Sequence, residues 1–368
     1  MPLKPEQHQG TRVVLVRHGQ STYNALGLYQ GCSDESILTE KGCSAASKTG
    51  AYLKGLAFDA IYCSPLKRAQ QTAGEILEAM SPTVDPNTIH ITTLLKETDL
   101  PIWQGLAFQY VREKFANEYR TWKQHPHEFC MELPHSPPSY FYPALDLYKR
   151  VRQFWQEVLP RHRGQTLLVV AHGGTNRALI HTAIGVTPEH YHCIEQSNCG
   201  ISILEFPDGS LESGQLMGVN STSNLEESLP NLQESNQGLR LILLSSQSTS
   251  EKQIQQSVQM LEKIGIDFRL NADIHEYQAI VSVRANSEQL STGLVLGGDR
   301  IIKDFINQAL SLNPEQLWRL QLYPETISIL YYPEPQGVPI LQAMNVSVTD
   351  KDLLFKLLDN KSYIPAPF

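Results

Sequence analysis

The residues with the clearest capacity for chemistry are two histidines, His18 and His172, each at the end of an aliphatic run and each followed by glycine. The first run, Val13-Val14-Leu15-Val16, leads into Arg17-His18-Gly19-Gln20-Ser21-Thr22-Tyr23-Asn24. The second, Leu167-Leu168-Val169-Val170-Ala171, leads into His172-Gly173-Gly174. Unbroken runs of β-branched and aliphatic residues read as buried strands. In an open α/β sheet, ligands bind at the carboxyl ends of such strands. An imidazole can attack phosphorus and carry it covalently, a guanidinium fork matches phosphoryl oxygens, and glycine lets backbone approach an anion closely. Two His-Gly strand ends in one domain therefore point to one tetrahedral anion flanked by two imidazoles.

That arrangement suits a double displacement. His18 attacks in line and becomes phosphohistidine, and water then releases phosphate. The attacking nitrogen needs its lone pair, so the other ring nitrogen is expected to donate to a backbone carbonyl. Arg17 and Arg68 are the candidate clamps, Arg68 standing at the start of a helix opened by Ser64-Pro65, whose amino terminus itself favours an anion. His172 is the third donor. A carboxyl group must protonate the leaving alkoxide and then activate water; Glu97 is the first candidate and Asp99 the reserve. Ser21, Thr22, Asn24, Gln30, Gly31 and Gly173 complete the candidate substrate-binding set. Neither metal nor cofactor is expected: His125, His127 and His135 lack a paired carboxylate pattern, and the cysteines (Cys32, Cys43, Cys63, Cys130, Cys193 and Cys199) show no CxxC spacing and read as reduced thiols.

The elements that must position these residues follow in order. Strand 12–17 precedes a polar loop with Gln30 to Asp34; Thr39 starts a helix to about Lys54, stopped by Gly55. Phe58 to Cys63 is a strand, the Ser64-Pro65 helix follows, and Ile89 to Thr93 is a short strand leading to Glu97. Gln109 to Asp146 breaks the rhythm: it is rich in aromatics and prolines, helical at first and then irregular, as lids and binding segments often are. Tyr119 and Trp122 within it fit core or substrate wall equally. Helix Leu145–Leu159, strand Leu167–Ala171, helix Thr175–Ile184, strand Gly200–Phe206 and an edge strand Gln215–Val219 complete the pattern. The alternation predicts an α/β fold, a mostly parallel sheet with helices on both faces.

At 368 residues two domains are expected. Residues 1–229 form the first, 230–238 a polar linker, and 239–368 a second, smaller α/β domain. The second reads as a decayed repeat. Leu239 to Thr249 parallels the first strand, with Ser245 and Ser246 where Arg17 and His18 stand. Leu294 to Gly298 parallels Leu168 to His172. Ala309, Pro314, Glu315, Ser328, Ile329 and Leu330 stand at one constant offset from Ala183, Pro188, Glu189, Ser202, Ile203 and Leu204. The copy keeps strand-forming positions and loses the charged chemistry.

Taken in order, the motifs Leu15-Val16-Arg17-His18-Gly19, Ser64-Pro65-Leu66-Lys67-Arg68-Ala69-Gln70-Gln71-Thr72-Ala73, Glu97 with Gln104-Gly105, and Ala171-His172-Gly173 resemble the histidine phosphatase superfamily, the phosphoglycerate-mutase-like fold. The resemblance spans about residues 11 to 229. It implies a phosphohistidine nucleophile at His18, phosphate binding by Arg17, Arg68 and His172, proton donation by Glu97, and phosphate contacts at Asn24 and Gly173. Trp103-Gln104-Gly105 departs from the family's usual Trp-Glu-Gly. A narrower resemblance, to the plant phosphatases of 2-carboxy-D-arabinitol 1-phosphate, is carried by Lys96-Glu97-Thr98-Asp99-Leu100, by Phe115 to Trp122 with Pro126 and Phe129, and by Gln196-Ser197-Asn198-Cys199-Gly200-Ile201-Ser202. It implies a photosynthetic source, a role in carbon metabolism and a degenerate second domain.

The expected function is hydrolysis of small sugar phosphates or phosphorylated sugar acids, 2-carboxy-D-arabinitol 1-phosphate and sugar bisphosphates among them. The alternatives are a phosphoglycerate mutase and a non-catalytic sugar-phosphate sensor or scaffold. A net charge of −8 argues against a general nucleic-acid partner. No apolar run is long enough to span a bilayer, and the start of the sequence lacks the apolar core of a signal peptide, so a cytoplasmic protein is expected. The second domain is the expected seat of any homo-oligomer.

Overall fold

The computed structural model describes residues 10–80, 89–133, 139–227, 229–231, 237–246, 251–271, 289–333 and 338–347. The chain divides into two compact units, Met1–Leu216 and Met217–Phe368.

The first unit is built on β1 (Thr11–Arg17), α1 (Thr22–Leu26), α2 (Glu40–Leu53), β2 (Ala60–Cys63), α3 (Lys67–Met80), β3 (Ile89–Ile91), α4 (Phe108–Lys114), α5 (Ala116–Gln124), β4 (Met131–Leu133), β5 (Ser139–Phe141), α6 (Pro143–Val158), β6 (Thr166–Ala171), α7 (Gly173–Ile184) and β7 (Ile201–Phe206). Its main sheet runs β7-β1-β6-β2-β3. All neighbours are parallel except β7, which is antiparallel to β1. Val13 to Val16 and Leu167 to Ala171 are fully buried, as parallel strands covered on both faces must be. Helices flank the sheet: α2 packs on α3, α6 packs on α7, and α3 and α7 lie against β6 and β1.

The register decides where the chemistry falls. Arg17 pairs with Ala171, and the His18 amide donates to the Ala171 carbonyl at 2.9 Å. On the other side of β6, Cys63 pairs with Val170, and the Ser64 amide donates to the Val170 carbonyl at 3.1 Å. Three parallel strands thus end level and present His18, His172 and Ser64 side by side. Close packing at this edge depends on a glycine pair. A Cβ on Gly19 would lie 2.5 Å from the Gly42 carbonyl oxygen, and one on Gly42 would lie 2.1 Å from the Gln20 carbonyl oxygen. Helix α2 starts as its sequence implies: the Thr39 hydroxyl accepts from the Gly42 amide at 3.1 Å.

The aromatic segment departs from expectation. Its second half is not irregular throughout but forms the β4–β5 hairpin, with Met131 opposite Phe141 and Leu133 opposite Ser139. Strands of three residues are too short to show a period of two. Trp122 is 5% exposed and packs at an angle against the rings of Phe129, Tyr191 and His192, so it belongs to the core. Helix α6 begins at Pro143, two residues before the expected start, with proline in its first turn.

The second unit contains β8 (Gln215–Ser221) from Met217 onward, then β9 (Leu239–Ser245), α8 (Glu251–Glu262), β10 (Phe268–Asn271), β11 (Ser291–Gly297), α9 (Asp299–Leu310), β12 (Thr326–Tyr332) and β13 (Ile340–Ser347). Strands β10, β11 and β9 are parallel; β12 and β13 continue antiparallel, and Met344 of β13 pairs with Val219 of β8. The unit boundary thus falls before the expected residue 229. Leu229 belongs to the core of the second unit with Ile242, Leu244 and Ile329, and the Pro230 carbonyl accepts from Arg240. The polar surroundings of Leu229 hid this apolar anchor in the sequence. The expected linker residues 232–236 lie outside the described residues.

Local details of the two units match. Thr166 and Asp59 exchange two hydrogen bonds: the Asp59 amide donates to the Thr166 carbonyl at 2.8 Å, and the Thr166 amide to Asp59 Oδ2 at 2.8 Å. Thr292 and Asp267 do the same at 2.8 and 2.7 Å. The Ser246 amide donates to the Gly297 carbonyl at 2.8 Å, the counterpart of His18 and Ala171. Gly298 caps α9 as His172 caps α7.

Candidate active site

His18 is 2% exposed and His172 is fully buried, with ring centroids 5.1 Å apart and planes inclined at 60°. His18 Nδ1 lies 2.8 Å from the Gly19 carbonyl oxygen. A carbonyl can only accept, so Nδ1 carries the proton and Nε2 keeps its lone pair. His172 Nε2 is 2.7 Å from the Ser64 hydroxyl. Asn198 Nδ2 donates to the His18 carbonyl at 2.9 Å and to Asn24 Oδ1 at 3.3 Å, fixing the backbone that carries the first imidazole.

Two guanidinium groups converge here, and each is held by backbone carbonyls rather than by a carboxylate. Arg68, fully buried, donates through its terminal nitrogens to the Ser33 carbonyl at 2.8 Å and the Gly31 carbonyl at 2.9 Å. Arg17 donates to the Gln196 carbonyl at 2.5 Å. The Nε atoms of both arginines and Nδ1 of His172 are buried without a hydrogen-bond partner. Buried polar nitrogens left without a partner in this way are what a bound anion would satisfy. A Cβ on Gly173 would sit 3.2 Å from Arg17 Nε, so glycine leaves the room that Arg17 occupies.

Glu97 caps helix α7 from outside. Its Oε2 accepts from the Gly174 amide at 3.1 Å, and its Oε1 from the Thr175 amide at 3.1 Å and the Thr98 amide at 2.7 Å. The Gly174 and Thr175 amides are donors that a helix amino terminus leaves unsatisfied. Arg150 of α6 anchors the same segment, donating to the carbonyls of Lys96 at 2.9 Å and Glu97 at 3.1 Å, with Asp146 at 2.8 Å as its counter-ion. Asp99 is engaged by Gln104, whose Nε2 donates to its Oδ1 at 2.8 Å, and burial raises its pKa.

The remaining sequence candidates brace the loop rather than present free donors. Ser21 caps α1, and its hydroxyl, like that of Ser36, donates to Gln30 Oε1 at 2.8 and 3.1 Å. Thr22 Oγ1 is 3.5 Å from the Ser36 hydroxyl. Gly31, at φ 51°, offers its carbonyl to Arg68. Sequence reasoning missed Ser64 as a histidine partner, and also Asn198, Thr98, Thr175, Arg150 and Tyr191. Ser64 was visible only as a helix opener. The pairings of Tyr191 with Thr98, of Asn198 with His18 and of Arg150 with Lys96 join segments far apart in sequence, so no local pattern marks them. Among the described residues no group of three His, Cys, Asp or Glu side chains is placed to hold a metal ion, and no helix is long and apolar enough to cross a membrane.

Burial first, then the nearby Arg68 and Arg17, hold the His18 pKa well below the usual imidazole range; burial, then Arg68 and His18, do the same for His172. Burial likewise lowers His181 and His192. Arg17 is lowered to about 10, chiefly by burial and further by Arg177 and Arg68, against the opposing pull of Glu97. The folded protein therefore refuses protons that the unfolded chain accepts below pH ~6.5. The stability is full above that pH and is lost as pH falls toward the depressed folded values. Stability is therefore expected to fall as the pH drops from ~6.5 to ~5.5, as the unfolded chain takes up protons that these buried histidines refuse. Urea titrations at the two pH values measure it, and a flat profile would contradict neutral burial.

The model of the histidine phosphatase superfamily (branch 1) matches residues 13–216, more than half of the chain. The chain is 36% identical over 256 residues to a 2-carboxy-D-arabinitol-1-phosphatase of Triticum aestivum, covering 68% of this chain and 49% of that protein. It is 32% identical over 216 residues to phosphoserine phosphatase 1 of Hydrogenobacter thermophilus, covering 59% of this chain and 95% of that one. The chain thus spans about half the length of the plant relative. Among solved structures, a mycobacterial glucosyl-3-phosphoglycerate phosphatase superposes with a TM-score of 0.50 at 24% identity, covering 58% of this chain and all of that one, a likeness of fold.

Proposed function

The chain belongs to the histidine phosphatase superfamily, and we propose that it is a phosphomonoesterase that hydrolyses small sugar phosphates or phosphorylated sugar acids through a phosphohistidine intermediate. The observation that carries this reading is the locked tautomer of His18, with Nδ1 on the Gly19 carbonyl and its ring 5.1 Å from that of His172. His18 Nε2 attacks phosphorus; the new P–N bond forms as the P–O bond to the leaving alkoxide breaks. Arg17, Arg68 and His172 donate to the equatorial oxygens, where charge spreads in the transition state. Glu97 gives its proton to the alkoxide. It then takes one from the water that attacks the phosphohistidine, so that phosphate leaves and the enzyme is restored. Asn24 and Gly173 border the same anion site.

Hydrolysis is favoured over mutase chemistry by the aromatic segment. A mutase must retain a highly anionic intermediate, which calls for cations lining the site. Of the cations this segment offers, Arg112, Lys114 and Arg120 are exposed and Lys123 is half-buried, while Trp122 and Phe129 fill the interior. The relatives named for a carboxylated sugar phosphate and for phosphoserine support a phosphorylated acid as substrate. The test is a panel of sugar phosphates, sugar bisphosphates, 2-carboxy-D-arabinitol 1-phosphate, phosphoserine and 3-phosphoglycerate. Phosphate release is measured beside 3-to-2 phosphoglycerate conversion. Efficient conversion with negligible release would overturn the reading. Glu97→Gln is expected to slow alkyl phosphates about 10²-fold and an activated aryl phosphate much less, because only the former needs a proton on its leaving group.

The second unit reads as a degenerate, non-catalytic copy of the first. Its parallel β10-β11-β9 with antiparallel β12 repeats β2-β6-β1 with β7, and the duplicated Asp–Thr clasps support common descent. At the equivalent strand ends stand Ser245, Ser246 and Gly298 in place of Arg17, His18 and His172. Asp299, in the first turn of α9, accepts a hydrogen bond from Ser245. A carboxylate there opposes binding of a phosphoryl group.

A further inference from the structure

The two oxygens of Glu97 have different surroundings. Oε1 accepts from the amides of Thr98 and Thr175 at 2.7 and 3.1 Å, and the hydroxyls of the same two residues stand at 3.3 and 3.4 Å. Oε2 accepts from the Gly174 amide at 3.1 Å. Oε1 is crowded with donors, so a transferable proton belongs on Oε2.

Behind Oε1 runs a buried chain of hydroxyls. Thr98 is 3% exposed, and its Oγ1 lies 2.6 Å from the hydroxyl of Tyr191, itself 2% exposed. A carboxylate oxygen only accepts, so the Thr98 hydroxyl points to Glu97 and the Tyr191 hydroxyl donates to Thr98. The ring of Tyr191 is clamped by the Arg177 guanidinium, 4.9 Å from its centroid, and by Trp122 at 5.1 Å. Arg177 is fixed in turn by donation from Nε to the Ile194 carbonyl at 2.7 Å. Burial pushes the Tyr191 phenol up to about 12, so it remains a donor at neutral pH. All three members of the chain press on one glycine. A Cβ on Gly174 would stand 2.2 Å from the Tyr191 hydroxyl, 2.3 Å from Thr98 Oγ1 and 2.5 Å from Glu97 Oε1.

We propose that Tyr191 is a positioning residue for the proton-transfer step: through the Thr98 hydroxyl it pins Glu97 Oε1 and so turns Oε2 toward the leaving group. This rests on the proton-donor reading of Glu97. Tyr191 touches no reacting atom, and its effect is confined to the orientation of the carboxyl group. Loss of its hydroxyl therefore costs most where the leaving group most needs a proton.

The test compares Tyr191→Phe, Glu97→Gln and the double variant on a sugar phosphate and on p-nitrophenyl phosphate. Tyr191→Phe is expected to lower kcat for the sugar phosphate about tenfold and for the aryl ester less than about threefold, with KM little changed, and to add no further loss in the Glu97→Gln background. Thr98→Val should reproduce the effect and Thr98→Ser should restore it, which separates orientation from folding. If Glu97→Gln alone slows both substrates equally, the proton-donor reading fails and this proposal falls with it. If Glu97→Gln discriminates between the leaving groups but Tyr191→Phe slows both equally, or its loss adds fully to that of Glu97→Gln, Glu97 stands and the role of Tyr191 is overturned.

Discussion

His18→Ala is expected to abolish phosphoenzyme formation and to lower turnover of every substrate by at least about 10³-fold. The reason is geometric. With Nδ1 committed to the Gly19 carbonyl, Nε2 is the lone pair that the site provides, and the neighbouring His172 engages Ser64 through its own Nε2. Among the described residues His172 is the neighbouring imidazole, and the proposed mechanism gives it phosphate binding rather than attack. Trapping the labelled phosphoenzyme by rapid acid-free denaturation, with turnover measured in parallel, checks both halves of the expectation. The variant should still fold, because the strand before it is held by the β6 and β7 ladders rather than by the ring. It should also lose less stability on acidification than the parent protein, since one buried neutral imidazole is gone. Retained phosphoenzyme in His18→Ala would move the nucleophile elsewhere and dismantle the mechanism.

Arg68→Lys is expected to reduce kcat/KM about 10²- to 10³-fold and to destabilise the fold by about 2 kcal/mol, although charge is conserved. The fork of Arg68 spans two carbonyls, those of Ser33 and Gly31, while its Nε remains unpartnered. A single ammonium radiates its three donors from one nitrogen and does not reproduce the fork that reaches the two carbonyls from separate nitrogens. One buried acceptor is left without a donor, and the loop from Gln30 to Asp34 loses its anchor. Product inhibition by inorganic phosphate should weaken in step with kcat/KM, and urea unfolding should report the stability change. A loss of stability with kcat/KM preserved would make Arg68 a structural brace alone.

Much of the site was legible in the chain because parallel strands covered on both faces must be continuous apolar runs, and such runs end abruptly where the chemistry begins. Val13 to Val16 and Leu167 to Ala171 marked two strand ends, and the residues just past them, His18 and His172, were fixed as neighbours once those strands were read as belonging to one sheet. Arg68 was legible from its place just after Ser64-Pro65, although the helix itself starts at Lys67, two residues later than that opening implied. The proposed repeat rests in the sequence on residues at a constant spacing, since strand-forming positions persist after charged ones are lost.

Tertiary structure alone decided what those residues are able to do. The tautomer of His18, the pairing of His172 with Ser64, the anchoring of Glu97 on the first amides of α7 and the Tyr191–Thr98 chain behind it depend on local backbone geometry or on contacts between segments far apart in sequence. The assignment of Leu229 to the second unit and the short β4–β5 hairpin were hidden for a related reason: a single apolar residue or a three-residue strand leaves no period to read. Sequence periodicity records which face of an element is buried. It does not record which donor meets which acceptor, and in this protein that pairing sets which nitrogen of His18 is engaged by the Gly19 carbonyl and how the surroundings of the two Glu97 oxygens differ.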